Sequence, residues 1–218
     1  MFNAQDPRWI RTLERKLGWL AIPNLAIILV TLQAMGSLFA FMDPIWVERF
    51  ALIPEAVYGG QYWRLVTFLA LPLSMSPIWV LFSLWFMYFV VNTIENEWGA
   101  FKTTFYVLVS IVLTLAFSFT FNYPVTQIKG FQSTLFLAAA ALYPEMEVQL
   151  FLILPVKMKW LAWVTLAMVF YDFAVGDWLS RLYLVAIYSN YFLFFGPAQI
   201  YRLKQIYRKW DYQSKLRK

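Results

Sequence analysis

Six long apolar runs, each closed by charges or turn residues, limit this chain to one kind of fold. They cover Trp19–Met42, Ser76–Asn92, Thr103–Phe121, Phe131–Tyr143, Trp160–Phe173 and Leu182–Phe195. A helix of about 20 apolar residues crosses a bilayer, and within lipid only helices and closed barrels satisfy every backbone polar group. The remaining composition agrees: 61% of the 218 residues are apolar and only 14% charged, against about 25% charged in soluble domains. The fold class read from these features is an all-α membrane bundle of six transmembrane helices.

The fourth run is too short to cross a full bilayer while facing lipid. Its Ala138-Ala139-Ala140-Ala141 tract suits a thin helix packed among others, because small residues let backbones approach closely. Orientation follows from the loops. With six spans and the N-terminus in the cytoplasm, only Arg49, Arg64, Lys129 and Arg181 lie outside, and the other fourteen of 18 Lys and Arg lie inside. The positive-inside rule therefore puts both ends in the cytoplasm. Three parts are expected: an interfacial helix over residues 1–18, the membrane domain over 19–196 with a first loop at 43–75, and a basic tail over 197–218. Trp9, Ile10, Leu13 and Leu17 share one face of the first segment, as in a helix lying on lipid. Ile200, Leu203, Ile206, Tyr207 and Trp210 recur likewise among the bases of the tail. Membrane lipid is thus the expected partner, and no nucleic acid is needed to explain the charge.

The chain has no histidine and no cysteine. The commonest general base and metal ligand are missing, as are thiolate nucleophiles and disulfides. Neither cofactor nor metal is expected.

Between the first two spans, residues 43–75 read DPIWVERFALIPEAVYGGQYWRLVTFLALPLSM. A loop this rich in Trp, Phe, Leu and Val does not stand in water, so a structured lobe immersed in the outer leaflet is expected. Here Phe50-Ala51-Leu52-Ile53-Pro54 and Gly60-Gln61-Tyr62-Trp63-Arg64-Leu65-Val66-Thr67 resemble the first-loop signature of rhomboid intramembrane proteases and their inactive relatives, the derlins among them. The tract Phe82-Ser83-Leu84-Trp85-Phe86-Met87-Tyr88-Phe89, then Ile94-Glu95 and Trp98-Gly99, is similar to that family's second span. The resemblance implies a six-span bundle in which Trp63 and Arg64 are structural, Arg64 bracing the loop by donating to its carbonyls.

The departure from the family is sharper than the likeness. Active rhomboids carry a Gly-x-Ser-Gly turn at the fourth helix and a histidine on the sixth. The corresponding stretches here are Gly130-Phe131-Gln132-Ser133-Thr134 and Tyr188-Ser189-Asn190. Ser133 matches the nucleophile by position, but both flanking glycines of the motif are replaced and no base exists. The positions that hold the oxyanion in the family fall on Trp79 and Ser83. A serine without a base loses several powers of ten in rate, and Lys129, at the outer surface, stays protonated. The resemblance then implies a pseudoprotease that binds membrane-protein clients or lipids and disturbs the local bilayer. Gln132, Ser133, Thr134, Ser83, Ser189 and Asn190 are the candidate contacts. An intramembrane protease using Ser133 in some unorthodox way is the alternative, and a small membrane transporter is the second.

Overall fold

The computed structural model describes residues 8–150 and 154–196. Helix α1 (Arg8–Leu17) and a short 3-10 turn (Gly18–Leu20) lead into α2 (Leu25–Met42). The first loop folds as three helical pieces, α3 (Ile45–Phe50), α4 (Pro54–Tyr58) and α5 (Arg64–Thr67), closed by a 3-10 turn (Phe68–Ala70). Three longer elements follow: α6 (Pro77–Trp98), α7 (Ala100–Phe121) and α8 (Lys129–Leu142). A hairpin of β1 (Glu147–Leu150) and β2 (Leu154–Lys157) precedes α9 (Met158–Val175). The last described element, α10 (178–196), runs to the limit of the described residues.

Local chemistry sets the helix ends. Pro77 opens α6 at its first turn, where a missing N–H costs nothing. A single residue, Gly99 at φ +80°, separates α6 from α7, in a conformation that side chains rarely adopt. Helix α7 stops at Asn122, which is left-handed at φ +48°, as asparagine tolerates. The turn from α9 to α10 is tied by Arg181, which donates to Gly176 O and to Ala174 O, both at 2.9 Å. Asp177 accepts bonds from the Ser180 side chain and backbone, which cap the start of α10 and hold its carboxyl below the usual aspartate range.

Four helices among the described residues are long and apolar enough to cross a membrane: α2, α6, α7 and α9. Their outward side chains are large and bare, including Leu38, Leu81, Val112 and Phe170, all more than half exposed. Such faces fit lipid, which also removes the hydrophobic effect as the force between helices. Close packing and polar ties must hold the bundle instead. Helix α8 forms the centre, with Leu135, Ala138 and Ala139 at 1% exposure or less. Around it stand α6, α7, α9 and α10. On α7, Thr103, Ser110, Thr114 and Ser118 are buried; the last three, four residues apart, share the inward face. Ser118 Oγ donates to Tyr123 O at 2.7 Å, and Thr114 Oγ1 to Ser110 O at 2.9 Å.

Glu95, near the end of α6, ties two helices together. Its carboxylate accepts from Asn24 N at 2.7 Å and from Leu25 N at 3.2 Å, so α6 caps the first turn of α2 across the bundle. Glu95→Ala should cost about 1 kcal/mol, the usual value of a lost N-cap. An SDS titration followed by circular dichroism would read the shift.

One feature, the hairpin, was not expected from the sequence. The stretch just ahead of the fifth run belongs to the hairpin, in which Gln149 faces Pro155. Proline fits there because a two-stranded sheet has a free edge. Glu145 beside the hairpin is ion-paired to Lys157 at 3.0 Å and Lys159 at 2.7 Å and is held below the usual glutamate range by those bonds. The basic tail at 197–218 and residues 1–7 lie outside the described residues.

Candidate functional site

Trp63 and Arg64 sit side by side and face opposite ways. Trp63 is 55% exposed and Arg64 only 6%. Arg64 Nη1 donates to Glu48 O and Ala51 O, both at 2.6 Å, and Nε donates to Gln61 Oε1 at 2.7 Å. Burial lowers its pKa from the ordinary arginine value, with Glu48 offsetting part of that, and guanidinium stays charged in any case. The braced loop is stitched to the α7–α8 connection by a backbone bridge, Leu52 N to Val125 O at 3.0 Å and Val125 N to Leu52 O at 2.8 Å. Asn122 Nδ2 adds a bond to Glu55 Oε1 at 2.9 Å. The loop therefore fixes the chain that enters α8.

At the start of α8, Ser133 Oγ lies 2.9 Å from Gly130 O and 2.5 Å from the hydroxyl of Tyr188 on α10. A serine hydroxyl has one proton. When Ser133 donates it to the Gly130 carbonyl, Tyr188 must be the donor of the second bond. The serine oxygen thus accepts a proton-bearing group where a nucleophile needs a base that withdraws one. Gly130 allows this contact: a Cβ there would stand 3.3 Å from Ile187 Cδ1 of α10, so α8 and α10 approach closely at this level. Tyr188 was visible in the sequence only by its place on the last run.

Two cavities meet at Ser133. The outer one, of about 430 Å³, lies between α8, α9 and α10 and is bordered by hydroxyls and charges, among them Tyr123, Lys129, Asp172, Tyr183 and Tyr188. The other, of about 540 Å³, is a mainly apolar cleft between α6 and α9 with α8 as its floor, lined by Trp79, Phe82, Phe86, Phe136 and Met168. Lys129, Ser133, Thr165 and Met168 border both. Lys129 Nζ is 2.6 Å from Asp172 Oδ2, so its ammonium is committed to a carboxylate and does not pair with Ser133. Helix α9 is the loose wall, with 6% of its residues buried against 33–39% in the other three spanning helices.

The candidate contacts divide into three sets. Ser83, Gln132 and Ser133 line the cleft. Ser83 Oγ is turned to its own helix, donating to Val80 O at 2.9 Å. Neither polar atom of the Gln132 amide has a hydrogen-bond partner among the described residues. Thr134 and Asn190 lie apart from the cavities, both at 0% exposure, in the seam with α7. Asn190 Nδ2 donates to Ser110 Oγ at 2.6 Å and to Tyr106 O at 3.0 Å, and Tyr106 OH donates to Thr134 O at 3.1 Å. Ser189 is on the outside of the bundle, exposed, its hydroxyl bonded to Ala186 O at 2.6 Å. No group of three or more metal-ligating side chains occurs among the described residues.

A helical bundle with broad lipid-compatible faces, a buried polar seam and a cleft open between two helices marks an integral membrane protein. Residues 24–196 match the family described as Eukaryotic integral membrane protein (DUF1751), and the chain belongs to that family. No curated protein and no solved structure matches it.

Proposed function

We propose that this chain is a non-proteolytic, rhomboid-like protein that spans the membrane six times with both ends in the cytoplasm. It takes a membrane-borne ligand, a lipid or a client helix, into the cleft between α6 and α9. The observation that carries this reading is the state of Ser133, held between the Gly130 carbonyl and the Tyr188 hydroxyl in a chain without histidine. A phenol, with an ordinary pKa of about 10, donates at neutral pH and does not serve as a base. The cleft beside it is apolar and its α9 wall is lightly packed, which supports binding rather than chemistry. The amphipathic first loop, half-immersed in one leaflet, disturbs the lipid beside the bundle, lowering the cost of admitting a ligand that carries polar groups.

The deciding experiment reconstitutes the purified chain with transmembrane substrates and follows their cleavage. No product is expected from the wild type or from Ser133→Ala. Product from the wild type that Ser133→Ala abolishes would establish an intramembrane protease of unorthodox mechanism and overturn the proposal.

A further inference from the structure

The two cavities differ in chemistry and share a wall, and Gln132 sits near their junction. Its amide offers two donor hydrogens and an acceptor oxygen, and leaving them unpartnered in an apolar setting is costly. The group that satisfies it must both donate and accept. Outside it, Lys129 and Asp172 present one charge of each sign to the outer cavity, with side chains 49% and 37% exposed. An ion pair this open contributes little to stability, so exchanging each partner for a ligand charge costs little. Tyr123 and Tyr183 stand on the same cavity, stacked on each other with rings 5.2 Å apart, while Tyr171, 65% exposed, borders it with an open ring. An open tyrosine face beside a carboxylate suits a quaternary ammonium.

Taking the cleft as a ligand site, we infer that the two cavities together bind a single-chain choline phospholipid. Its acyl chain lies in the cleft between α6 and α9. Its free glycerol hydroxyl donates to the Gln132 amide oxygen, and its ester carbonyl accepts from the amide nitrogen. The phosphate meets Lys129, and the choline meets Asp172 and the ring of Tyr171. A two-chain phospholipid brings only acceptors to the amide, because both glycerol positions are esterified. A client helix is the poorer fit: a helix is about 10–12 Å across with a 5.4 Å pitch, so a cleft of this volume holds roughly one turn of it.

The test uses the full chain in phosphatidylglycerol vesicles and palmitoyl-lysophosphatidylcholine with a diazirine in its acyl chain, the labelled sites being mapped by mass spectrometry. Labelling is expected to saturate, to concentrate on cleft residues such as Phe86 and Met168, and to be displaced by unlabelled lysophosphatidylcholine but not by palmitate. Gln132→Leu, which removes an unpartnered amide and so keeps the fold, should raise the half-saturating concentration about tenfold for two lost hydrogen bonds. The double variant Lys129→Gln with Asp172→Asn removes both charges together and should abolish the preference for lysophosphatidylcholine over palmitate. Labelling that never saturates, equal competition by palmitate on the wild type, or an unchanged Gln132→Leu would overturn the inference. So would displacement by an Asn-bearing transmembrane peptide and not by the lysolipid, which would make the occupant a helix. Cleavage dependent on Ser133 would overturn the non-proteolytic reading and leave the labelling intact. Failed labelling without cleavage overturns the lipid assignment alone.

Discussion

Replacing Arg64 by alanine is expected to cost about 3 kcal/mol or more of stability and to free the first loop. Three donated bonds disappear, and the Glu48 and Ala51 carbonyls lose the N–H that joins them. Hydrogen bonds to a charged group contribute about 1.5–3 kcal/mol each, and unsatisfied buried acceptors add their own penalty. Lysine should recover less than half. An ammonium is a point charge on a flexible stem and cannot reproduce a planar fork that reaches Gln61 through one nitrogen and two carbonyls through another. Trp63→Ala, changing a side chain that is 55% exposed, should cost much less. SDS titration measures the stability loss, and limited proteolysis within residues 43–75 reports the opened loop. Equal behaviour of Arg64→Ala and Trp63→Ala would show that the brace is not what holds the loop.

The second large effect is expected at Gly36. A Cβ on this residue would stand 1.9 Å from Ala70 O and 2.7 Å from Ala70 C, and backbone cannot swing aside as a side-chain tip can. Helix α2 must therefore move off the 3-10 turn at Phe68–Ala70. Gly36→Ala should destabilise by about 3 kcal/mol, the upper end of overpacking costs, and Gly36→Val by more. Gly18→Ala is the matched control, because nothing lies within 4 Å of its Cβ position. A Gly36→Ala protein as stable as Gly18→Ala would mean that α2 and the loop do not touch there. Since α2 packs against α6 as well as this turn, the damage should spread to the Glu95 cap.

Helices α2, α6, α7 and α9 were legible because lipid leaves little choice at that depth: a long, uniformly apolar run is read as a helix. The runs from Ser76 and Thr103 appear as α6 and α7, each longer by a few residues, because Pro77, Gly99 and Asn122 set the ends more sharply than hydropathy does. The loop at 43–75 was legible as structured because its apolar content could not be left in water, and Arg64 was singled out by its neighbours. The hairpin was not legible. Strands of four residues around Pro155, beside an apolar helix, look the same as the start of that helix. At the site, position brought Ser133 and the last helix together, but not the bond to Tyr188, since a tyrosine in a membrane run is ordinarily read as an interface residue. The grouping of Thr134 and Asn190 with α7, away from the cavities, depends on helix rotation. A sequence of nearly uniform hydropathy does not encode rotation strongly; the Ser110, Thr114 and Ser118 spacing was the one signal that did.

A helix of 14 residues extends only about 21 Å, short of a hydrocarbon core of about 30 Å, and α8 carries Lys129, Gln132 and Ser133 in its first turns. During synthesis such a segment has no favourable way to leave the insertion channel for open lipid by itself. It can partition only against helices already in place, and α6 and α7, which precede it in the chain, both provide surfaces that it contacts. The order of translation therefore matches the order in which the centre of the bundle is covered, with α9 and α10 closing around α8 last. Substitutions that weaken the α7 seam, at Tyr106 or Ser110, should accordingly show first as failed integration of α8 and only then as lower stability of the finished protein.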